Sequence, residues 1–200
     1  SGILNHMSVP PKIVKDVVVI VVSITMFYGL THNPITHPTI EVVSGLSSIQ
    51  LMQHPLVLGI AGHNYLALRS TDNSIIKELH GLATDSTTGT WKYVGTKSTD
   101  KLKVWEFSSS KYYLAQKNYA GIILYKGQEG TAREIWNKAL PCKEEINNKN
   151  IPYPPFGVNM KGDTENSNSV AYTLTLCMGL DTKHLGLLTP GSTKNLLEIR

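Results

Sequence analysis

Hydrophobic and polar residues alternate in the first two thirds of the chain in a way that predicts β-strands. Residues 63–69 alternate well enough to predict a strand, residues 75–81 are predicted to return as a second strand, and the turn-forming residues 71–74 between them predict a β-hairpin. Residues 101–107 alternate strictly, and residues 119–125 form an apolar run of strand length. The pattern therefore predicts an antiparallel sheet built early in the chain.

Helix signals come later in the sequence. Residues 131–134 have the sequence of a capping box and predict a helix start, and Pro141 should kink or split that helix. Residues 166–169 predict a second helix start, and Gly179 lies where this helix should end. Because strands precede helices along the chain, the predicted fold class is α+β, an antiparallel sheet packed on helices, over residues 55–200.

The amino-terminal part of the chain has a different composition. Residues 1–7 fit either a leftover expression tag or native sequence and are left out of the fold prediction. An uncharged apolar run at residues 17–30 follows two lysines, as in a signal peptide or signal anchor. Its 14 residues would span about 21 Å as a helix, against about 30 Å of hydrocarbon, and its many β-branched residues also suit a buried strand.

Residues 8–31 therefore have two interpretations, a signal anchor or a buried apolar element. An anchor would leave the rest of the chain outside the cytoplasm and associate the protein with a membrane. Residues 32–54 are rich in proline, threonine, serine and histidine and are predicted to be a linker.

Composition narrows the function classes without choosing one. Hydrophobic residues make up 41% of 200 residues, which is enough for a core, and two cysteines are too few for a disulfide-built mini-protein. The net charge of +4 comes from lysines and arginines that are scattered singly, so we predict no nucleic-acid partner. Function must therefore be sought at a few individual positions.

Two histidines flank the predicted hairpin. A turn centred on Thr71 and Asp72 makes His63 face His80 directly, whereas a turn centred on Asp72 and Asn73 makes them diagonal neighbours. Both registers place the two imidazoles on one face of the sheet. We predict His63 as a general base and His80 as the group that orients it.

Ser167 lies at the predicted start of the later helix. Unpaired N–H groups and the positive end of the helix dipole would assist a nucleophile there, and donors near Asn166 and Asn168 would hold an oxyanion. Asparagine and serine are also the preferred N-cap residues, so the same segment is explained by capping alone. Both interpretations stay open from the residues.

The two segments resemble a known group of enzymes. Residues 62–68 (Gly-His-Asn-Tyr-Leu-Ala-Leu) and residues 166–170 (Asn-Ser-Asn-Ser-Val) resemble the Gly-His strand and the Asn-Cys-Asn helix start of circularly permuted papain-like hydrolases. This superfamily includes NlpC/P60-like, lecithin:retinol acyltransferase-like and PPPDE-like proteins. The resemblance implies a papain-like domain over residues 55–200 with His63 as base, His80 as orienter and Ser167 as nucleophile.

The implied activity is hydrolysis or acyl transfer at an amide or ester bond of a peptide, a peptidoglycan stem or a lipid. Ser167 stands where the superfamily has cysteine, and a hydroxyl is far less acidic than a thiol. The alternative is therefore a catalytically inactive papain-like binding module.

Two further alternatives concern other residues. Residues 173–177 (Thr-Leu-Thr-Leu-Cys) resemble the sortase motif and would make Cys177 a transpeptidase nucleophile, a minor alternative because the favoured interpretation of Cys177 is a small core residue. A zinc site from His63, His80 and His184 lacks the usual ligand spacing. We accordingly predict neither a metal nor a cofactor.

Overall fold

The computed structural model describes residues 45–56, 61–108, 119–157 and 164–198. All of them belong to the compact unit His37–Arg200. The predictions for residues 1–7 and 8–31, and for most of the linker, fall outside the described residues. None of the described helices is both long and apolar enough to cross a membrane.

The described residues form a six-stranded antiparallel sheet with helices packed on it, so the predicted α+β class is confirmed. The strand order is β4-β3-β2-β1-β6, and β5 pairs with β3. The strands are β1 (Ser47–Leu56), β2 (Ala61–Arg69), β3 (Ile75–Thr84), β4 (Trp91–Lys92), β5 (Lys101–Phe107) and β6 (Ala120–Gly127).

Strand β1 occupies much of the segment predicted to be a linker. It pairs with β2 on one side and β6 on the other, so the folded domain begins before residue 55. The proline-rich composition concealed a period-two pattern in which Ile49 and Leu51 point into the core. Pro55 disrupts little of the hydrogen bonding between strands, because it lies next to the end of β1.

In the described part of the chain, three α-helices follow the sheet, α1 (Glu129–Asn137), α2 (Ala139–Asn148) and α3 (Ser167–Cys177). The first begins three residues earlier than predicted, because the extended Gln128 is its N-cap and Thr131 lies inside it. The prediction that Pro141 splits the helix is confirmed, since α1 ends at Asn137 and Pro141 sits in the first turn of α2. A proline ring clashes with the carbonyl four residues before it, which for Pro141 is that of Asn137.

The sheet has two chemically different faces. The helix face carries aliphatic residues that pack with Trp136, Val170 and Leu174 of the helices to form the main core. The opposite face, here called the aromatic face, carries Tyr65 and Phe107, against which further aromatic residues pack. Side chains alternate between the two faces along every strand.

A disulfide joins α2 to α3. Cys142 and Cys177 are 35 residues apart in sequence and are bonded in the structure. The interpretation of Cys177 as an unpaired core residue is therefore wrong. Sequence spacing could not reveal the bond, because it depends on how the two helices cross.

Candidate active site

The register of the β2–β3 hairpin sets the relation between the two predicted histidines. Tyr65 pairs with His80, so His63 and His80 are diagonal neighbours, the second of the two predicted registers. The Nε2 atom of His63 and the Nδ1 atom of His80 are 3.1 Å apart and share a hydrogen bond. Both side chains are about 1% exposed.

Glu78 extends this pair into a chain of three groups. Its Oε2 atom lies 2.9 Å from Nε2 of His80, and its side chain is fully buried. Glu78 precedes His80 by two residues on the same strand, so both point to the aromatic face. Glu78 was not predicted from the sequence, although a carboxylate two residues from a candidate histidine on a predicted strand is a recognisable signal.

The hydrogen bonds fix which nitrogens carry protons. A carboxylate at Glu78 can only accept, so Nε2 of His80 is the donor. Burial lowers the pKa of His80, while Glu78 opposes that shift, and burial together with the neighbouring imidazoles lowers the pKa of His63 further. Both rings are thus neutral near pH 7, and Nδ1 of His80 accepts a hydrogen bond from the Nε2–H group of His63.

The open end of the chain is Nδ1 of His63. In this protonation pattern it carries a lone pair, and it has no hydrogen-bond partner among the described residues. A buried polar atom left without a partner costs roughly 1–3 kcal/mol. An oriented imidazole with a bare basic nitrogen is the arrangement that general-base catalysis requires.

The start of α3 is built as a helix cap. Asn166 is the N-cap, and its side chain accepts hydrogen bonds from the N–H groups of Asn168 and Ser169. The Ser169 hydroxyl in turn accepts from the Asn166 N–H at 2.7 Å, which completes a capping box. The N–H of Asn168, predicted to hold an oxyanion, is therefore already bonded within the cap.

The side chain of Asn168 ties this helix end to the sheet. Its Oδ1 atom accepts from the backbone N–H of Asn64 at 2.9 Å, and its Nδ2 atom donates to the Pro190 carbonyl at 3.1 Å. Asn64 lies just past the Tyr65–His80 pair, where the ladder between β2 and β3 ends. The first turn of α3 is thus anchored beside the strand that carries His63.

Ser167 lies on the helix face. A Cβ atom built on Gly81 would be 2.9 Å from the Cα atom of Ser167, so position 81 faces α3 and the adjacent His80 faces the other way. Ser167 is 4% exposed and shares a hydrogen bond with Tyr153, whose pKa burial raises to about 12. The structure brings His63 and His80 together, but no hydrogen bond joins Ser167 to either imidazole.

The described residues support neither of the two remaining alternatives, the sortase-like site at Cys177 and the zinc site that includes His184. Cys177 is bonded to Cys142 at the end of a helix, so it offers no thiolate for the sortase-like mechanism. His184 is exposed in the segment after α3. Within the described residues, no three histidine, cysteine or acidic side chains are grouped so that they could hold a metal ion.

Searches for relatives gave no match among protein-family models, curated proteins or solved structures.

Proposed function

We propose that the protein is a hydrolase or acyltransferase that acts on an amide or ester bond, with His63 as the general base. One observation carries the proposal, namely the buried Glu78–His80–His63 chain, which ends in a basic nitrogen with no partner among the described residues. The predicted resemblance to permuted papain-like hydrolases agrees with the roles of His63 and His80.

The chain of hydrogen bonds suits proton abstraction from a hydroxyl group. Nδ1 of His63 takes the proton of the nucleophile while the nucleophile's oxygen bonds to the acyl carbon, and the imidazolium then protonates the leaving group. A positive charge on His63 in a buried setting needs compensation. Glu78 supplies it through His80, as the carboxylate does in other relay systems.

Ser167 is the proposed nucleophile. Its hydroxyl is bonded to Tyr153 on the helix face, whereas Nδ1 of His63 is on the opposite face of the sheet, so this role requires that substrate binding rearrange the start of α3. Hydrogen bonds of catalytic groups are often loose before substrate is bound. The helix start that holds Ser167 is anchored to Asn64, the residue after His63, so the two groups belong to neighbouring parts of the fold.

A catalytically inactive binding module is the second candidate. The observation that favours it is the engagement of Ser167 with Tyr153, together with the use of the first-turn N–H groups in the cap. In this candidate the hydrogen-bonded imidazoles are a remnant of an ancestral catalytic base. A serine has replaced the cysteine, and its hydroxyl is less reactive than a thiol.

A serine-directed fluorophosphonate probe, with mass spectrometry to locate the label, separates the candidates. Labelling of Ser167 should be lost in His63→Gln and Ser167→Ala and retained in Ser86→Ala, which changes an exposed loop serine. Circular dichroism checks that each variant is folded. Hydrolysis of a test ester that survives Ser167→Ala but not His63→Gln would instead mean that His63 activates water.

The inactive module predicts a different set of results. The wild type would neither take up the probe nor hydrolyse esters, and Ser167→Cys would react with the probe or with iodoacetamide. Hydrolysis that persists in His63→Gln would contradict the proposed role of the imidazole chain.

We also propose that the domain works outside the cytoplasm on a peptide, cell-wall or lipid substrate. The Cys142–Cys177 disulfide supports this location, because such bonds persist in oxidising compartments. Fractionation of cells that produce the whole chain, with thiol labelling of the two cysteines, tests the location. Reduced cysteines in a cytosolic fraction would contradict it.

A further inference from the structure

Among the described residues, one of the rings packed around His63 reaches toward the surface. The rings of His80 and Tyr65, with centroids 5.4 and 5.9 Å from that of His63, are themselves buried. Tyr93 meets the His63 ring edge-on at 6.3 Å and is half-buried. Tyr93 is thus the described ring contact of His63 that is partly open to solvent.

Two half-buried rings contact Tyr93, namely Trp91, with centroids 5.2 Å apart, and His54, which also contacts the half-buried Tyr119. His54 on β1 pairs directly with His63 on β2, which places it on the same face of the sheet. Its ring centroid is 6.4 Å from that of Tyr93 and 4.6 Å from that of Tyr119. The three half-buried rings, His54, Tyr93 and Tyr119, are here called the aromatic entrance.

The ring geometry of the aromatic entrance suits an aromatic guest. The His54 ring is tilted by 54° against Tyr93 and by 50° against Tyr119, so neighbouring rings in the set are not parallel. Aromatic rings attract one another in edge-to-face and offset arrangements, in which the positive edge of one ring meets the negative face of another.

We propose that the aromatic entrance is a specificity site that takes an aromatic side chain next to the acyl carbon of the substrate. This inference rests on the proposed function, because it assigns the substrate class of the site centred on His63. The aromatic side chain packs against Tyr93 and Tyr119, and the acyl carbon then lies toward Nδ1 of His63. The substrate class is thus a peptide or ester whose acyl part carries an aromatic ring.

Hydrolysis of two small esters tests the preference. The wild type should cleave N-acetylphenylalanine methyl ester with a kcat/KM roughly 10- to 100-fold above that for N-acetylalanine methyl ester. Tyr93→Ala and Tyr119→Ala should each bring this ratio down to within a few fold of unity. Tyr93→Phe keeps the ring and should keep the ratio. Tyr125→Ala is the control, because it removes a half-buried tyrosine that packs against the main core instead, and it should also keep the ratio.

A binding measurement gives a readout that does not need catalysis. Titration with N-acetylphenylalaninamide should shift the imidazole NMR signals of His54 and His63, whereas N-acetylalaninamide should not, and Tyr93→Ala should abolish the shift. Selective binding without any hydrolysis would support the aromatic entrance and overturn the proposed function alone. Equal response to the phenylalanine and alanine probes would overturn the specificity site, whether or not the esters are hydrolysed.

Discussion

His63 and His80 are hydrogen-bonded to each other at 3.1 Å, although Tyr65 rather than His63 is paired with His80 across the hairpin. A diagonal contact of this kind lets the two rings lie side by side with an interplanar angle of 12°. The hydrogen bond from His80 to Glu78 runs further along the same face. The β2–β3 strand pair thus supplies an oriented base, His63. Its second ring nitrogen, Nδ1, points away from His80 and Glu78, which orient the ring.

Glu78→Gln tests whether this chain sets the protonation pattern. Glutamine offers both a donor and an acceptor, so it no longer forces Nε2 of His80 to be the donor, and a mixture of ring tautomers is expected. If His63 is the base, kcat should fall by roughly 10²- to 10⁴-fold. Nitrogen-15 NMR of the imidazoles reads the tautomers directly, and an unchanged tautomer pattern in Glu78→Gln would show that Glu78 does not set it.

Acid should destabilise the fold below pH 6.5, because burial lowers the pKa of His63 and of His80 in the folded state. The unfolded chain then binds more protons than the folded chain, so the free energy of unfolding is highest above pH 6.5 and declines as pH falls toward the folded values. Each histidine contributes a slope of up to about 1.4 kcal/mol per pH unit.

Urea unfolding at pH 8, 7, 6 and 5 measures this slope. His63→Gln removes one of the two groups, so its free energy of unfolding should fall less steeply between pH 7 and pH 5. A wild type whose free energy of unfolding does not change in that range would show that folding leaves the pKa values of the two imidazoles unshifted. Because burial lowers the pKa of His63, the acid limb of any pH–rate profile in which His63 is the base should lie below pH 6.5.

Gly81 is predicted to tolerate no side chain. A Cβ atom at this position would lie 2.7 Å from the Cβ of Val170 and 2.9 Å from the Cα of Ser167, so Gly81→Ala must push the start of α3 off the sheet. Overpacking of this kind costs about 1–3 kcal/mol.

Gly130→Ala is the matched control, since a Cβ there meets nothing within 4 Å and the residue lies in the first turn of α1. It should be neutral or stabilise by up to about 1 kcal/mol. Urea midpoints of both variants check the pair. Equal stability of Gly81→Ala and wild type would mean that α3 does not pack against β3 as described.

Loss of the Cys142–Cys177 bond should lower the free energy of unfolding by about 3–4 kcal/mol for a separation of 35 residues. The bond restricts the unfolded chain across the segment that separates α2 from α3. Urea unfolding of the wild type with and without dithiothreitol measures the loss. The double variant Cys142→Ala and Cys177→Ala should match the reduced wild type and should not respond to the reductant.

The hairpin and the helix start could be predicted because both are local. Alternation, turn residues and an N-cap sequence act within about ten residues, so the strands that carry His63 and His80 and the cap at Asn166 were readable from the chain. Strand β1 was missed because its one proline, Pro55, and its polar residues outweighed a short apolar alternation. The Cys142–Cys177 bond was missed because it depends on helix packing.

The sequence by itself determined that His63 and His80 share one face of a hairpin, since a period of two puts them there in either register. It could not decide on which face of the sheet α3 would lie. The packing of Val170 and Ser167 against Gly81 decided that, because only a glycine leaves room for the helix there. The helix and its serine thus lie on one face and the imidazoles on the other, a separation that follows from long-range packing and that no local pattern encodes.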